Sequence, residues 1–485
     1  MHGTGAPASD MTSSPASAQP AGTSTGGTLR RIHLLLRSNW ISSTGAALAT
    51  LAVLALATLL ALGPRAEMLG PYVGLLTVVV LPALFVVGLF LIPVGLFLYR
   101  KRLAERLARL ADRPLYLARA VAALTLVNFA GVGTLALGSA NYMNSVTFCG
   151  TACHSAMQPE YDTFLDSPHS RVACVACHVG PGAASYVESK INGAKQLWHY
   201  LNDSYARPIP TPVAQLRPAR ETCETCHWPE KYLGTKLLVR AHFREDDAVS
   251  QYVNVVLMRT GGKRLDGAVV GIHWHTHPEA TVEYVATDGR RSIPWVKVKK
   301  PDGSEDLFVA PGVDPANPPA GEQRVMDCND CHNRSAHAFE SPGQALDRAI
   351  AAGLISRELR GIKRHALEAL RTDWKREEAK DGIRRHLQQA YATAGLLDEH
   401  HRRLLEQASA ATAAIWLRNV YPERGVRWDT YPDFNSHAGC FRCHDGEHRN
   451  AAGKVITQDC DACHVVLSEE QEDPAILQSL GLRGR

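Results

Sequence analysis

Twelve cysteines of this chain form six close pairs, and a histidine directly follows the second cysteine of every pair. The motifs are CGTACH (Cys149, Cys153, His154), CVACH (Cys174, Cys177, His178), CETCH (Cys223, Cys226, His227), CNDCH (Cys328, Cys331, His332), CFRCH (Cys440, Cys443, His444) and CDACH (Cys460, Cys463, His464). C-x-x-C-H is the attachment signature of c-type haem, in which two thiols bind the porphyrin and the histidine binds its iron. We therefore expect six covalently attached c-type haems, numbered 1 to 6 along the chain.

Two other kinds of site also use closely spaced cysteines. A zinc ribbon takes four thiolates from paired C-x-x-C motifs and leaves the following residue free to vary, which six histidines in six motifs disfavour. A disulfide scaffold is typical of small secreted domains, whereas 485 residues can bury enough apolar surface to fold without such bridges. Haem attachment of this kind takes place outside the bacterial cytoplasmic membrane, so we expect the haem-bearing region to be periplasmic.

The first motif differs from the other five because three residues, not two, separate its cysteines. It is followed by Met157, and a thioether sulfur can bind haem iron and raise its reduction potential. We expect Met157 to be an axial ligand of haem 1. The alternative is a methionine that packs beside the porphyrin.

Three apolar runs follow an N-terminal segment, 1–29, whose Ser, Thr, Gly, Ala and Pro content predicts a disordered tail. The runs cover 45–63, 68–99 and 120–140, and each is long enough to cross a bilayer. The first begins too far from the N-terminus for a signal peptide. We expect three membrane-spanning helices within 30–140; the alternative for the second run is a buried helix of a soluble domain.

Positive charges flank these runs unequally. Three arginines precede the first run and seven lysines and arginines occupy 100–119, whereas Arg65 is the only basic residue between the first two runs. Because basic loops stay in the cytoplasm, the N-terminus is expected to be cytoplasmic. Three spans of the cytoplasmic (inner) membrane then leave 141–485 in the periplasm.

Composition excludes two further classes. The 52 lysines and arginines nearly balance 48 aspartates and glutamates, and without a basic stripe this disfavours nucleic-acid binding. A hydrophobic content of 45% disfavours a mostly disordered chain.

The spacing of the motifs divides the periplasmic part into haems 1 to 3 (141–232), a β insertion (233–320), haem 4 (321–340), a helical segment (341–424) and haems 5 and 6 (425–485). Short alternating stretches with turn dipeptides, including 268–275 and 281–287, predict the antiparallel strands of the insertion. Helical spacing predicts about three amphipathic helices in the helical segment. The expected fold class is therefore a membrane-anchored multihaem cytochrome c, with three N-terminal transmembrane helices and a haem-packed, mostly α and irregular periplasmic domain that carries a small antiparallel β insertion.

Fifteen histidines outside the motifs could be second axial ligands. The four nearest the motifs are His169, His337, His437 and His448. We also expect His273, His275 and His277 to alternate along a strand, where one or two of them reach a haem. For each of these residues the alternative is an ordinary core or surface histidine, and a separate three-histidine zinc site is a further alternative for the strand.

Two axial histidines close an iron to small molecules, so the expected role is electron relay rather than catalysis at iron. Haem 1 follows the third apolar run after eight residues, which puts it at the membrane surface, where a lipid-soluble donor arrives. Oxidation of a quinol releases two protons, so that site also needs acceptors. The candidates are Glu160, Asp166, Lys190, Lys195 and, if Met157 binds the iron, His154.

The stretch FCGTACHSAMQPEYDTFLDSPHSRVACVACHVGPG, 148–182, resembles the haem 1 and haem 2 region of the NapC/NirT family of membrane-anchored cytochromes, which are periplasmic quinol dehydrogenases. The longer pattern, with ARPIPTPVAQLRPARETCETCHWPEKYLG, GIHWH, MDCNDCHNRSAH and GCFRCHDGEH, is similar to larger inner-membrane members from metal-reducing bacteria. The resemblance implies that Met157 binds haem 1 and that a quinol site lies beside it. Smaller members have one span and four haems, whereas this sequence predicts three spans and six haems.

We therefore expect a hexahaem cytochrome that oxidises quinol, menaquinol or ubiquinol, near haem 1 and relays electrons to a periplasmic cytochrome or reductase. No catalytic triad is indicated. Two other functions fit the motifs. The first is a terminal reductase of nitrite, hydroxylamine or a related substrate, which needs an open iron. The second is a membrane anchor subunit that only connects a partner reductase to the membrane.

Overall fold

The computed structural model describes residues 39–62, 80–101 and 137–482, apart from 153, 181, 212–216, 229–232, 264–268, 301 and 396–397, and six further positions between 76 and 134. The chain divides into two compact units, Met1–Asn141 and Tyr142–Arg485. The expected disordered tail and most of the third apolar run lie outside the described residues.

Two helices, α1 (Trp40–Leu62) and α2 (Leu81–Leu98), pack against each other in the first unit. Small residues allow this contact, because a Cβ on Gly88 would lie 2.7 Å from both the Ala49 nitrogen and the Gly45 oxygen. Within the described residues, α2 is the helix that is long and apolar enough to cross a membrane, and Trp40–Leu56 is a shorter apolar helical stretch.

Helices and single helical turns carry or flank the motifs of the second unit. They are a π-helix (Phe148–Ala152), α3 (His154–Leu165), α4 (Cys174–His178), α5 (Ala183–Leu201), α6 (Ala219–Cys223), a 3₁₀ turn (Cys328–Asp330), and, near the C-terminus, α11 (His437–Cys440), a second 3₁₀ turn (Cys460–Ala462) and α12 (Ala475–Ser479). In a helical turn, residues three apart are neighbours, so both cysteines of a C-x-x-C motif reach the same side. This local geometry is what attachment to two positions of one ring requires.

Two antiparallel sheets lie between and beside the motifs. Their strands are β1 (Gly234–Phe243), β2 (Gln251–Lys263), β3 (Val269–Val270), β4 (Thr281–Thr287), β5 (Ser292–Lys299), β6 (Glu305–Val309), β7 (Glu322–Val325) and β8 (His464–Gln471). In the first sheet β2 pairs with β1, β3 and β8, and the second sheet has the order β6-β5-β4-β7. The antiparallel insertion of the sequence prediction therefore exists, but β8 joins it from beyond the sixth motif.

The strand predicted over 268–275 is wrong for most of its length. Only Val269–Val270 pairs as a strand, and Ile272–Thr276 forms a 3₁₀ turn. Gly271 separates the two with a φ of +89°, a conformation that favours glycine, and a Cβ there would lie 2.7 Å from the Gly261 backbone. His273 and His275 therefore lie on a tight turn and not on one face of a strand.

The described residues between 342 and 419 form four helices where about three were expected. They are α7 (Pro342–Ala351), α8 (Ile362–Arg371), α9 (Arg376–Thr393) and α10 (Glu399–Asn419). Their apolar faces form a protein core around fully buried residues such as Leu346, Ile362 and Leu387. This segment is thus packed like an ordinary helical domain.

Candidate haem-binding sites

Five motif histidines each face a histidine from elsewhere in the second unit. The ring centroids are 6.1 Å apart for His227 and His169, 6.2 Å for His178 and His337, 6.4 Å for His332 and His273, 5.8 Å for His444 and His275, and 5.9 Å for His464 and His437. Five of the seven histidines named as candidate distal ligands thus lie opposite a motif histidine.

These separations fit two imidazoles on opposite sides of one iron. With metal–nitrogen bonds of ~2 Å and a further ~1 Å from each nitrogen to its ring centre, the centroids of two trans imidazoles lie about 6 Å apart. The angles between the ring planes range from 11° for His332 and His273 to 79° for His444 and His275. Such a range is compatible with axial ligation, because each ring can turn about its bond to the metal.

Backbone carbonyls fix the orientation of several of these rings. The Nδ1 atom donates to a carbonyl oxygen in His273 (Thr260, 2.9 Å), His275 (Ile272, 2.9 Å), His337 (Glu160, 2.9 Å), His444 (Thr457, 2.8 Å) and His169 (Ser335, 3.3 Å). A ring that donates from Nδ1 keeps the lone pair of Nε2 free for a metal. The hydrogen bonds therefore prepare these histidines as Nε2 ligands.

Burial also favours the metal-binding form of four of these histidines. Desolvation lowers the pKa of His178 and His332, with a smaller contribution from the facing histidine in each case. Desolvation also lowers the pKa of His275 and His337. A lower pKa keeps the imidazole neutral, which is the form that binds iron.

His448 does not fit the ligand role expected for it. Its ring is almost fully buried, with Nδ1 2.9 Å from an Asp445 carboxylate oxygen and Nε2 2.8 Å from the Ile293 carbonyl oxygen. Both nitrogens therefore face protein acceptors and not a motif histidine. His448 connects the loop after the fifth motif to β5, which favours the alternative of an ordinary core histidine.

The first motif occupies the π-helix and the start of α3. A side chain at Gly150 would run into the ring of Tyr161, so glycine lets these two segments close on each other. Met157 follows His154 by three residues on α3, which puts the two positions one helical turn apart on one face. Axial ligands approach iron from opposite faces, so these two residues are alternatives and not a pair. Cys153 and the His154 side chain lie outside the described residues.

Cysteine thiols of different motifs lie close together at two places. Hydrogen bonds join Cys149 to Cys174 and Cys223 to Cys328, and each bond raises the pKa of the first thiol and lowers that of the second. The first motif is therefore beside the second, and the third is beside the fourth.

Weaker contacts join the remaining neighbours in the series. Burial, followed by the charges of Cys174 and Cys226, raises the pKa of Cys177. Burial raises the pKa of Cys331 to about 12, with a contribution from Cys440, and Cys440 acts in the same way on Cys463. Each motif therefore lies close to the next motif along the chain.

Two of the expected proton acceptors form ion pairs with arginines. Glu160 pairs with Arg334 at 2.9 Å, and both side chains are largely buried. Asp166 lies 3.0 Å from Arg348 and 3.2 Å from Arg418. Glu160 therefore stabilises the position of α3, whose carbonyl at the same residue orients His337.

Lys190 is the candidate that lies near the first motif. Its charge opposes the rise in the pKa of Cys149 that the hydrogen bond to Cys174 causes. Its ammonium group lies 4.6 Å from the centre of the Tyr186 ring. Lys195 lies five residues further along α5.

Arginines beside the motifs were missed by the sequence reasoning. Arg334 lies two residues after the fourth motif histidine and joins it to α3, and Arg442 lies inside the fifth motif. The position of each arginine next to a haem motif was the available signal.

Comparisons with known proteins agree with the motif pattern. The family described as NapC/NirT cytochrome c family, N-terminal region, matches residues 115–208. The cytochrome c-type protein ImcH of Geobacter sulfurreducens is 37% identical over 423 residues, which cover 83% of this chain and 83% of the relative. No solved structure matches the chain. The similarity to the relative therefore extends far beyond the first two motifs.

Proposed function

Because this chain belongs to the NapC/NirT family of c-type cytochromes, which bind haem covalently and transfer electrons, we propose that it is a hexahaem quinol-oxidising cytochrome of the inner membrane. In this proposal quinol is oxidised near haem 1, and electrons are relayed through the haems to a periplasmic cytochrome or reductase. Bound haem supplies reversible one-electron chemistry at iron. The N-terminal helices anchor the chain, and 141–485 lies in the periplasm.

The observation that carries the proposal is the row of five histidine pairs at motifs that succeed one another in chain order. Two histidines on one iron leave no position for a substrate, which favours electron transfer over reduction of nitrite or hydroxylamine at these five sites. The closeness of thiols from successive motifs supports transfer in series. In this proposal Met157 gives haem 1 a ligand type different from that of the five histidine pairs, as a donor site would need.

Lys190 supports an entry point beside the first motif. A neutral lysine near the site of quinol oxidation can accept a proton from the quinol. A charged lysine can instead orient the quinol, because its ammonium donates a hydrogen bond to a quinol oxygen. Glu160 and Asp166 are less suitable, because arginines already occupy their carboxylates. We therefore assign to Lys190 the role of holding the quinol.

The test is reduction of the purified, fully haem-loaded protein by a menaquinol or ubiquinol analogue under anaerobic conditions. We expect the visible spectrum to show reduced low-spin haem after quinol is added. If quinol reduces no haem in protein shown to carry six, the proposal is wrong.

Binding of carbon monoxide distinguishes an electron-relay cytochrome from a terminal reductase. We expect little change when carbon monoxide is added to the dithionite-reduced protein, because the paired sites are closed. Extensive formation of a carbon monoxide complex at several haems would favour a reductase instead.

A further inference from the structure

Arg442, inside the fifth motif CFRCH, donates hydrogen bonds from all three of its guanidinium nitrogens to backbone carbonyls. Nε lies 2.8 Å from the Gly439 oxygen, Nη1 lies 2.8 Å from the Arg290 oxygen, and Nη2 lies 2.6 Å from the Asp330 oxygen. One face of the guanidinium also lies 3.8 Å from the centre of the Phe434 ring. The group is therefore held in one position by four separate contacts.

The three carbonyls belong to three different segments of the fold. Gly439 directly precedes the fifth motif, Arg290 lies in the turn between β4 and β5, and Asp330 lies inside the fourth motif, CNDCH. The guanidinium is a rigid planar fork with five donors, so it can bind several acceptors at fixed angles. Arg442 thus joins two haem motifs to each other and to the second sheet.

The fourth motif is held from its other side as well. The carboxylate of Asp330 is fully buried, accepts a hydrogen bond from the Tyr284 hydroxyl on β4, and lies 3.0 Å from Arg324 Nε on β7. Asp330 also accepts from the Asp327 backbone nitrogen at 2.7 Å. The Asp330 carbonyl that accepts from Arg442 therefore belongs to a segment that several hydrogen bonds hold in place.

The positive charge of Arg442 lies near the thiols of both motifs. Arg442 directly precedes Cys443 in the chain, and its Nη2 atom lies 2.6 Å from the carbonyl oxygen of Asp330, the residue that directly precedes Cys331. The residue is therefore close to two attachment sites at once, in addition to its hydrogen bonds.

We infer that Arg442 is a positioning residue that sets the spacing of the fourth and fifth haem sites, and that its charge favours the reduced state of the groups held there. The inference rests on the proposed relay, because the spacing of neighbouring sites controls transfer between them. A guanidinium is needed for this role, since its donors are spread over the three nitrogens of a rigid plane, whereas the three donors of an ammonium all leave one atom.

The test uses full-length, haem-loaded protein with Arg442→Lys, Arg442→Met and, as a control for loss of a surface charge, Arg384→Met. Arg384 pairs with Asp381 on the exposed side of α9. For each variant, haem-bearing peptides are identified by mass spectrometry, and the magnetic interaction between oxidised haems is measured by electron paramagnetic resonance. A redox titration with chemical mediators follows, so that no step depends on quinol.

We expect Arg442→Met to lose magnetic coupling between one pair of haems and to shift two of the six haems to lower potential. Arg442→Lys should lose the coupling but keep potentials closer to those of the wild type, and Arg384→Met should change neither. Wild-type coupling and titration in an Arg442→Met protein with six haems would overturn the inference.

Incomplete haem loading is also decisive. Joint loss of haems 4 and 5 from Arg442→Met supports a residue that joins both sites, whereas loss of haem 5 alone shows a role confined to its own motif and contradicts the inference. If Arg442→Met does not accumulate, Arg442→Lys decides by the same coupling measurement. A wild type that quinol fails to reduce would end the proposed function but would leave these readouts intact.

Discussion

At Gly439 the backbone approaches the Phe434 carbonyl so closely that any side chain would collide with it. We expect Gly439→Ala to destabilise the protein by about 3 kcal/mol, because α11 must move and it carries both His437 and Cys440. Thermal unfolding and haem content would measure the effect. The control is Gly193→Ala on α5, where a Cβ meets nothing within 4 Å and stability should rise by up to about 1 kcal/mol. Equal stability of the two variants would contradict the prediction.

A matched pair of substitutions distinguishes a histidine that faces a motif histidine, His275, from a buried histidine that is bonded to the protein, His448. His275→Met should raise the potential of one haem, within the ~0.8 V range that axial ligands span, because a thioether replaces an imidazole. His448→Gln should leave the redox titration unchanged and lower the free energy of unfolding by about 1–3 kcal/mol, because it removes buried hydrogen bonds. A changed potential in His448→Gln would restore that residue as a ligand.

Lys190 and Lys195 lie on one helix and offer a direct comparison. We expect Lys190→Met to slow haem reduction by quinol roughly 100-fold, because the variant loses the ammonium that positions the quinol. Lys195→Met should keep the wild-type rate. Stopped-flow absorbance with a quinol analogue measures both rates, while reduction by dithionite serves as the loading control. A similar loss in both variants would argue against a specific role for Lys190.

At the scale of elements, a buried ion pair connects the helical segment to the first sheet. Lys363 on α8 lies 2.5 Å from Asp347 on α7, and Asp347 also accepts from the Phe243 backbone nitrogen at the end of β1. Asp347→Leu alone should cost about 3–5 kcal/mol, because it leaves a buried ammonium without its opposite charge. The double variant with Lys363→Met should recover most of that loss in chemical denaturation. An additive double variant would show that the two residues are not coupled.

The sequence predicted elements well where the pattern is local. The alternating stretch 281–287 is a strand, β4, with the bounds expected from its residues. The prediction from sequence was wrong at 268–275, where the backbone turns at Gly271. It also missed β8, which pairs with β2 more than 200 residues earlier in the chain. Neither a close approach between two backbones nor a distant strand partner leaves a signal in a short window of sequence.

At the scale of the whole molecule, the relay can be tested by removing one haem at a time, because each site lies close to the next site along the chain. Replacing Cys174 and Cys177 by alanine removes the second haem, and quinol should then reduce little beyond the first. Replacing Cys460 and Cys463 by alanine should leave quinol reduction of the remaining haems intact but block transfer to an external acceptor. The fraction of haem absorbance that quinol reduces measures both outcomes. Full reduction in the first variant would indicate a branched arrangement.

The sites could be predicted only in part. The motifs are local, so twelve cysteines and six histidines were evident from the sequence, and five of the histidines named as candidate distal ligands lie opposite a motif histidine. Which histidine faces which motif could not be predicted, because His178 faces His337 and His444 faces His275 across long stretches of chain. His448 is near a motif in sequence, but closeness in sequence does not show where a ring points, and its nitrogens face Asp445 and Ile293.

If 141–485 is exported as proposed, the histidine pairing also sets the order in which the sites can be completed. His227 and His464 face His169 and His437, which precede them in the sequence, so both partners are present as soon as these motifs have emerged. His178 instead faces His337, which lies much later in the chain. The second site would therefore gain its second histidine after the third and fourth sites, although its motif emerges before theirs. A chain that stalled before residue 337 would leave this site with one histidine.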